Sequence, residues 1–101
     1  MLPKTLRLPR AEFSARGYRT VKTPYFFLKI KRNNFPQNRI GVVIGVSAEK
    51  SAVRRNFWRR QAKAFLAGQP CRGLDFILIF SKKIKEIDKK KFKEELGHLN
   101  I

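Results

Sequence analysis

Between Lys50 and Arg60 the chain reads Lys-Ser-Ala-Val-Arg-Arg-Asn-Phe-Trp-Arg-Arg, a cluster of cations around one asparagine at the start of an expected helix. Arginine presents a flat fork of donors that matches phosphate oxygens, and the asparagine carboxamide adds a neutral donor and acceptor able to sense a ribose or a base edge. A polyanion is the partner this chemistry suits. At about 100° per residue, Trp58, Ala62, Phe65 and Leu66 gather on one arc of the helix, and Arg55, Asn56, Arg59, Arg60 and Lys63 on the neighbouring arc. One arc anchors the helix and the other faces the partner, with Lys50 and Arg54 extending the cationic surface.

The whole chain carries the same bias. Lys and Arg total 24 against seven Asp and Glu, a formal net charge of +17 over 101 residues. Self-repulsion at that density opposes folding, and an anionic partner offsets it. Nucleic acid fits better than a membrane, because the longest apolar runs, Ile40 to Val46 and Phe76 to Phe80, are strand-sized and cannot span a bilayer. Met1 to Arg10 lacks an apolar core of signal-peptide length, which predicts a cytoplasmic protein. A hydrophobic share of 43% with nine Phe predicts a folded core, and the length predicts one domain over 1–101. Cys71 and His98 are each alone of their kind and offer no metal-ligand set; Cys71 reads as a loop thiol. The acidic residues are scattered rather than clustered to seat two metal ions, and Asp75, at a strand edge, reads as structural. No catalytic residue and no protein-held metal is expected.

The elements that must position the cluster follow from punctuation and period. Pro9 and Gly17 bracket a short helix over Arg10 to Arg16 that presents Phe13. Tyr18 to Lys22 reads as a brief strand and Tyr25 to Lys31 as a longer one. Alternation puts Phe26, Leu28 and Ile30 on a core face, and Tyr25, Phe27, Lys29 and Lys31 on the other. That second face is either a single-strand nucleic-acid platform, with bases on rings and lysines along the backbone, or a solvated outer sheet face. A turn through Asn33, Asn34, Pro36 and Asn38 leads to a central strand from Arg39 to Ser47. Ser51 is the expected N-cap of the basic helix, which runs to about Ala67 and stops at Gly68 with Pro70 beyond. Leu74 to Phe80 is a buried strand. A last helix starts at Asp88, stapled by Ile87 and Phe92, with Phe92, Leu96 and Leu99 facing the core. Lys82 to Lys93, interleaved with Glu86 and Asp88, reads as the wet side of that amphipathic segment.

In these residues the chain resembles the protein subunit of bacterial ribonuclease P. That family's signature is a glycine-containing strand, a serine with a basic loop, then Ala-Val-x-Arg-Asn and a basic helix. Here it reads Arg39-Ile40-Gly41, Val46-Ser47, then Ala52-Val53-Arg54-Arg55-Asn56 with Arg59-Arg60. Leu6-Arg7-Leu8 with Phe13, the strand Tyr25 to Ile30, and Gly73 to Ile79 before a helix fall where the family has counterparts. Three features depart from the pattern. Phe57 stands where the family has the third member of Arg-Asn-Arg, Ala48 and Glu49 replace two usual lysines, and the second aromatic of the first helix is missing.

The resemblance implies an α/β fold (an α+β sandwich) in αβββαβα order, about four strands, like the second domain of ribosomal protein S5, with a left-handed βαβ crossover. General rules predict a right-handed one. It implies that Lys50, Arg54, Arg55, Asn56, Arg59, Arg60 and Lys63 meet a catalytic RNA. It also implies that a cleft with Phe13, Tyr25, Phe27, Lys29 and Lys31 holds the 5′ leader of precursor tRNA. The implied activity is 5′ maturation of tRNA by a ribonucleoprotein endonuclease (a hydrolase) in which this chain is a noncatalytic subunit and Mg²⁺ is held mainly by the RNA. The implied partners are the ribonuclease P RNA and precursor tRNA, with no membrane and no obligate protein partner. A general basic or ribosome-associated RNA-binding protein is the competing expectation.

Overall fold

The computed structural model describes residues 7–9, 12–13, 16–70 and 72–99. Its elements are β1 (Arg19–Lys22), β2 (Phe26–Arg32), β3 (Arg39–Val43), α1 (Ala52–Ala67), β4 (Leu74–Phe80), a short 3₁₀ helix (Lys82–Glu86) and α2 (Lys89–Gly97). The four strands form one mixed sheet in the order β1-β2-β4-β3, with β3 parallel to β4 and the other pairs antiparallel. Of the expected first helix, Glu12 and Phe13 lie in a 3₁₀ turn, where the Glu12 amide donates to the Pro9 carbonyl at 3.0 Å. Gly17 takes the positive φ of 93° expected of a helix exit. Arg10, Ala11, Ser14, Ala15 and the Cys71 thiol lie outside the described residues.

Strand alternation divides the sheet cleanly. Phe26, Leu28, Ile30, Ile40, Phe76, Leu78 and Phe80 point to one side and join Trp58, Ala62 and Leu66 of α1 and Phe92 and Leu96 of α2 in a single core. Trp58 is its centre, 1% exposed, with the rings of Phe57, Phe80 and Phe92 at 5.1, 6.1 and 5.3 Å. Burying an indole removes roughly 150–250 Å² from water, on the order of 5 kcal/mol at about 25 cal/mol per Å². That single side chain fixes which face of α1 turns outward. Phe57 is half-buried and packs edge-on against the indole, so it adds to the core at this position.

The handedness of the β3-α1-β4 crossover follows from chirality and one hydrogen bond. Let β3 run upward with Ile40 and the helices toward the viewer. The L-configuration then directs the Ile40 N–H and C=O to the right. The Leu8 amide donates to that carbonyl at 3.0 Å, so the N-terminal segment lies on the right and β4 on the left. A chain that leaves β3, descends through α1 in front and enters β4 on the left makes a left-handed connection. This is the hand the resemblance implies and the opposite of the general rule. A right-handed crossover between the same strands would have laid α1 over the outer face of the sheet.

Two expectations need correction. The strand expected to reach Ser47 ends at Val43. Beyond it the Gly45 carbonyl accepts both the Ala48 and Glu49 amides at 3.1 Å, and a turn replaces the ladder. The 3₁₀ helix after β4, which buries Ile84, carries no helical period long enough to be read from sequence.

Candidate nucleic-acid interface

The basic helix is built as its sequence dictates. Ser51 is the N-cap, its hydroxyl accepting the Arg54 amide at 3.3 Å, and Gly68 closes the C-terminus. With Trp58, Ala62 and Leu66 buried, the arc bearing Arg55, Asn56, Arg59, Arg60 and Lys63 lies away from the core, with Asn56 and Arg60 exposed and the other three half-buried. The first turn holds no acidic residue, so the positive end of the helix dipole adds to the field of Lys50, Arg54 and Arg55.

The guanidinium groups are partly organised by the protein itself. Arg55 Nη1 donates to the carbonyls of Glu49 at 2.9 Å and Lys50 at 2.8 Å, which orients its fork without cancelling its charge. Arg59 Nη1 donates to Asn56 Oδ1 at 3.0 Å, coupling cation to carboxamide across one turn. Arg54 differs: its Nε donates to Glu49 Oε2 at 3.2 Å in an ion pair. Glu49 is buried, also accepts the Ser51 amide at 3.1 Å, and is held below the usual carboxylate range first by that amide bond and then by Arg54 and nearby Lys85. Glu49 therefore clamps the start of α1 and partly neutralises Arg54. Among the described residues Lys50, Arg60 and Lys63 form no ion pair.

The strand register defines a second surface on the outer face. One row across the sheet reads Lys22, Phe27, Ile79 and Val43; the next reads Thr20, Lys29, Ile77 and Gly41; the third reads Lys31, Asp75 and Arg39. In the first row Phe27 and Val43 are each 36% exposed and Ile79 is half-buried, an apolar strip flanked by Lys22, whose Nζ lies 5.9 Å from the Phe27 ring centre. In the second row the Phe13 ring lies against Gly41, so close that a Cβ there would meet Phe13 Cζ at 2.5 Å. Leu8, Phe13, Val42, Val43, Ile44 and Arg59 line a groove of about 580 Å³ that joins this strip to the basic helix.

The third row is a polar lock. Arg39 donates to the Asp75 carboxylate through Nε at 2.8 Å and Nη2 at 2.7 Å, and Asn33 Nδ2 adds a third bond at 2.8 Å. Asp75 is 1% exposed, and its hydrogen bonding raises the Arg39 pKa further. Lys31 pairs with Glu12 at 3.3 Å and lies 5.2 Å from the ring centre of Tyr18, whose hydroxyl donates to the same Glu12 oxygen at 3.3 Å. Burial, then the Asp75 and Glu12 charges, push the Tyr18 hydroxyl up to about 12.

Of the expected cleft residues, Phe13, Phe27, Lys29 and Lys31 share the outer face. Tyr25 does not. It precedes β2, packs against the core margin, and lines a groove with Lys85, Ile87, Asp88 and Lys91 on the helix side. Thr23 causes the departure: its Oγ1 accepts the amides of Tyr25 and Phe26 and donates to the Phe26 carbonyl, a turn that takes Tyr25 off the pleat. Sequence reasoning missed Lys22, Ile79, Val43, Phe35 and Arg39 as outer-face residues, because alternation within one strand carries no cross-strand register. No three His, Cys, Asp or Glu side chains converge among the described residues, and no described helix is long and apolar enough to cross a membrane.

The family model described as Ribonuclease P matches residues 2–100. Among solved structures, the chain is similar to the Staphylococcus aureus RNase P protein, with a TM-score of 0.82 and 20% identity over 94% of this chain and 92% of that one. It is also similar to the RNase P protein from Thermotoga maritima, with a TM-score of 0.64 and 23% identity over 79% of this chain and 78% of that one. No curated protein sequence matches significantly.

Proposed function

Since the chain belongs to the ribonuclease P protein family, we propose that it is the noncatalytic protein subunit of a cytoplasmic ribonuclease P, binding the catalytic RNA through α1 and the 5′ leader of precursor tRNA on the outer sheet face. The observation that carries the reading is the pairing of two surfaces on one left-handed crossover, joined by the groove that Val43 and Arg59 line. One is the Arg55, Asn56, Arg59, Arg60 and Lys63 arc, seated on buried Trp58. The other is the Phe27, Ile79 and Val43 strip, which the crossover leaves free of helix.

In this reading the protein acts through charge and position. Its oriented guanidinium groups lower the mutual repulsion of two RNAs, and the apolar strip takes unpaired bases while Lys22 and Lys29 sit near the backbone. In this scheme Mg²⁺ takes its oxygen ligands mainly from RNA. If about six phosphates are neutralised, affinity falls roughly a thousandfold between about 50 and 200 mM salt.

The test mixes the protein with a ribonuclease P RNA and precursor tRNA at low Mg²⁺. Stimulated 5′ cleavage that weakens in Arg55→Ala or Asn56→Ala, through poorer assembly at matched salt, is the expected result. RNA binding without stimulation selects the general RNA-binding protein instead.

A further inference from the structure

The loop between β2 and β3 carries the other large exposed aromatic of the outer face. Phe35 is 53% exposed, and the Arg39 guanidinium carbon lies 4.6 Å from its ring centre. Exposure of a phenyl ring in a flexible loop would mean little. Here the loop is tied down: Asn33 Oδ1 accepts the Phe35 amide at 2.7 Å, Asn33 Nδ2 donates to the Gln37 carbonyl at 3.1 Å, and the same amide group reaches Asp75. The Asn33 amide donates to the Gly73 carbonyl at 2.8 Å, and a Cβ at Gly73 would sit 2.6 Å from the Phe35 carbonyl oxygen. Arg39 is equally fixed, by both oxygens of a buried carboxylate. A ring and a guanidinium plane are thus held in contact before any partner arrives, which removes most of the ordering cost of stacking.

The surroundings say what the ring is for. A groove of about 300 Å³ beside it is lined by Lys31, Arg32, Asn34, Arg39, Glu12 and Asp75, in which Lys31 and Arg39 are paired with the two carboxylates and exposed Arg32 forms no ion pair among the described residues. Aromatic faces and arginine planes are the surfaces on which unpaired bases stack, and lysine and arginine track the accompanying phosphates. The third row, in which Lys31 and Arg39 flank Asp75 in register, places the loop on the same face as the apolar strip, with the row Thr20, Lys29, Ile77 and Gly41 between them.

We propose that Phe35, backed by Arg39, is a base-stacking site for one unpaired nucleotide of single-stranded RNA, separate from the Phe27, Ile79 and Val43 strip and at the opposite end of the same face. The inference rests on the reading that the outer face takes single-stranded RNA. It predicts a longer binding register than the strip alone provides: an oligonucleotide long enough to reach the loop binds more tightly than one that ends on the strip, and Phe35 supplies the difference.

The experiment measures binding of unstructured RNA oligonucleotides of graded length to the free protein and to Phe35→Ala, Phe35→Trp and Phe27→Ala. Phe35→Ala is expected to lose about fivefold to a hundredfold for the longer oligonucleotides, with an unchanged salt slope and no loss for the short ones. Phe35→Trp restores the affinity, and a single abasic nucleotide at the stacking position abolishes the effect of Phe35→Ala. If Phe27→Ala weakens binding and Phe35→Ala does not, the site is refuted while the outer-face reading stands. If neither variant weakens binding, the outer-face reading fails and the inference with it. A loss in Phe35→Ala that persists with the abasic oligonucleotide, or that changes the salt slope, assigns the ring to loop folding and overturns the proposal.

Discussion

Replacing Asp75 by Asn removes one charge and almost no volume, and the structure sets the cost. Three charged or polar donors converge on the carboxylate, two from Arg39 and one from Asn33, all at 2.7–2.8 Å. The Arg39 side chain is 15% exposed and Asp75 1%, so water cannot replace the lost charge. An asparagine keeps one acceptor but turns an N–H₂ toward a guanidinium. Breaking a buried pair from one side costs about 3–5 kcal/mol, a large part of the roughly 5–15 kcal/mol that holds a domain of this size. Net charge also rises, from 24 − 7 = +17 to 24 − 6 = +18. Chemical unfolding followed by the fluorescence of Trp58, the only tryptophan, reads the change directly. Asp75→Asn is expected to lower the unfolding free energy by about 3–5 kcal/mol and the melting temperature by on the order of 20 °C. Adding Arg39→Gln should recover part of the loss. A cost below about 1 kcal/mol, or a double variant no more stable than Asp75→Asn, would refute the claim that this carboxylate is an interior counter-ion.

Gly41→Ala places a methyl group 2.5 Å from Phe13 Cζ, so it should destabilise by about 1–3 kcal/mol through overpacking; the loss should shrink in a Phe13→Ala background, which a double-mutant cycle in urea tests. Glu49 has a lowered pKa, so its contribution to stability is present above the unfolded carboxylate value and disappears as pH falls through the lower folded value. Glu49→Gln should therefore be less stable than the parent at neutral pH, and urea midpoints of the two proteins should converge in acid.

The parts of the fold that sequence revealed are those with local punctuation. Ser51, the Trp58, Ala62 and Leu66 period, and Gly68 delimit α1 because cap chemistry and helical phase act within a few residues. Asp88 as N-cap of α2 and buried Phe92 were legible for the same reason. The end of β3 was not, since Ile40 to Val46 is apolar throughout and apolarity does not separate a strand from a buried turn: Ile44 is 4% exposed yet lies beyond the strand. Tyr25 was misassigned to the Phe27 face because alternation presumes a strand, and Thr23 bends the chain before the strand begins.

Long-range facts were the least accessible. Phe35 read only as turn, and the Asp75 network that holds it spans 42 positions in sequence between Asn33 and Asp75. Glu49 read as a missing lysine, whereas its place in the fold is a buried clamp on Ser51 and Arg54. The hand of the crossover came from the family resemblance against a general rule, and the Leu8 bond to Ile40 supplies its physical demonstration.

The division of labour between the two surfaces is tested most directly by the KM of reconstituted holoenzyme for precursor tRNA with and without its 5′ leader, comparing the parent protein with Phe27→Ala at protein concentrations that saturate assembly. The account predicts a KM for leader-bearing precursor raised about fivefold to a hundredfold by loss of one stacking ring, with the leaderless substrate unaffected. An equal rise for both substrates, or none for either, would contradict it.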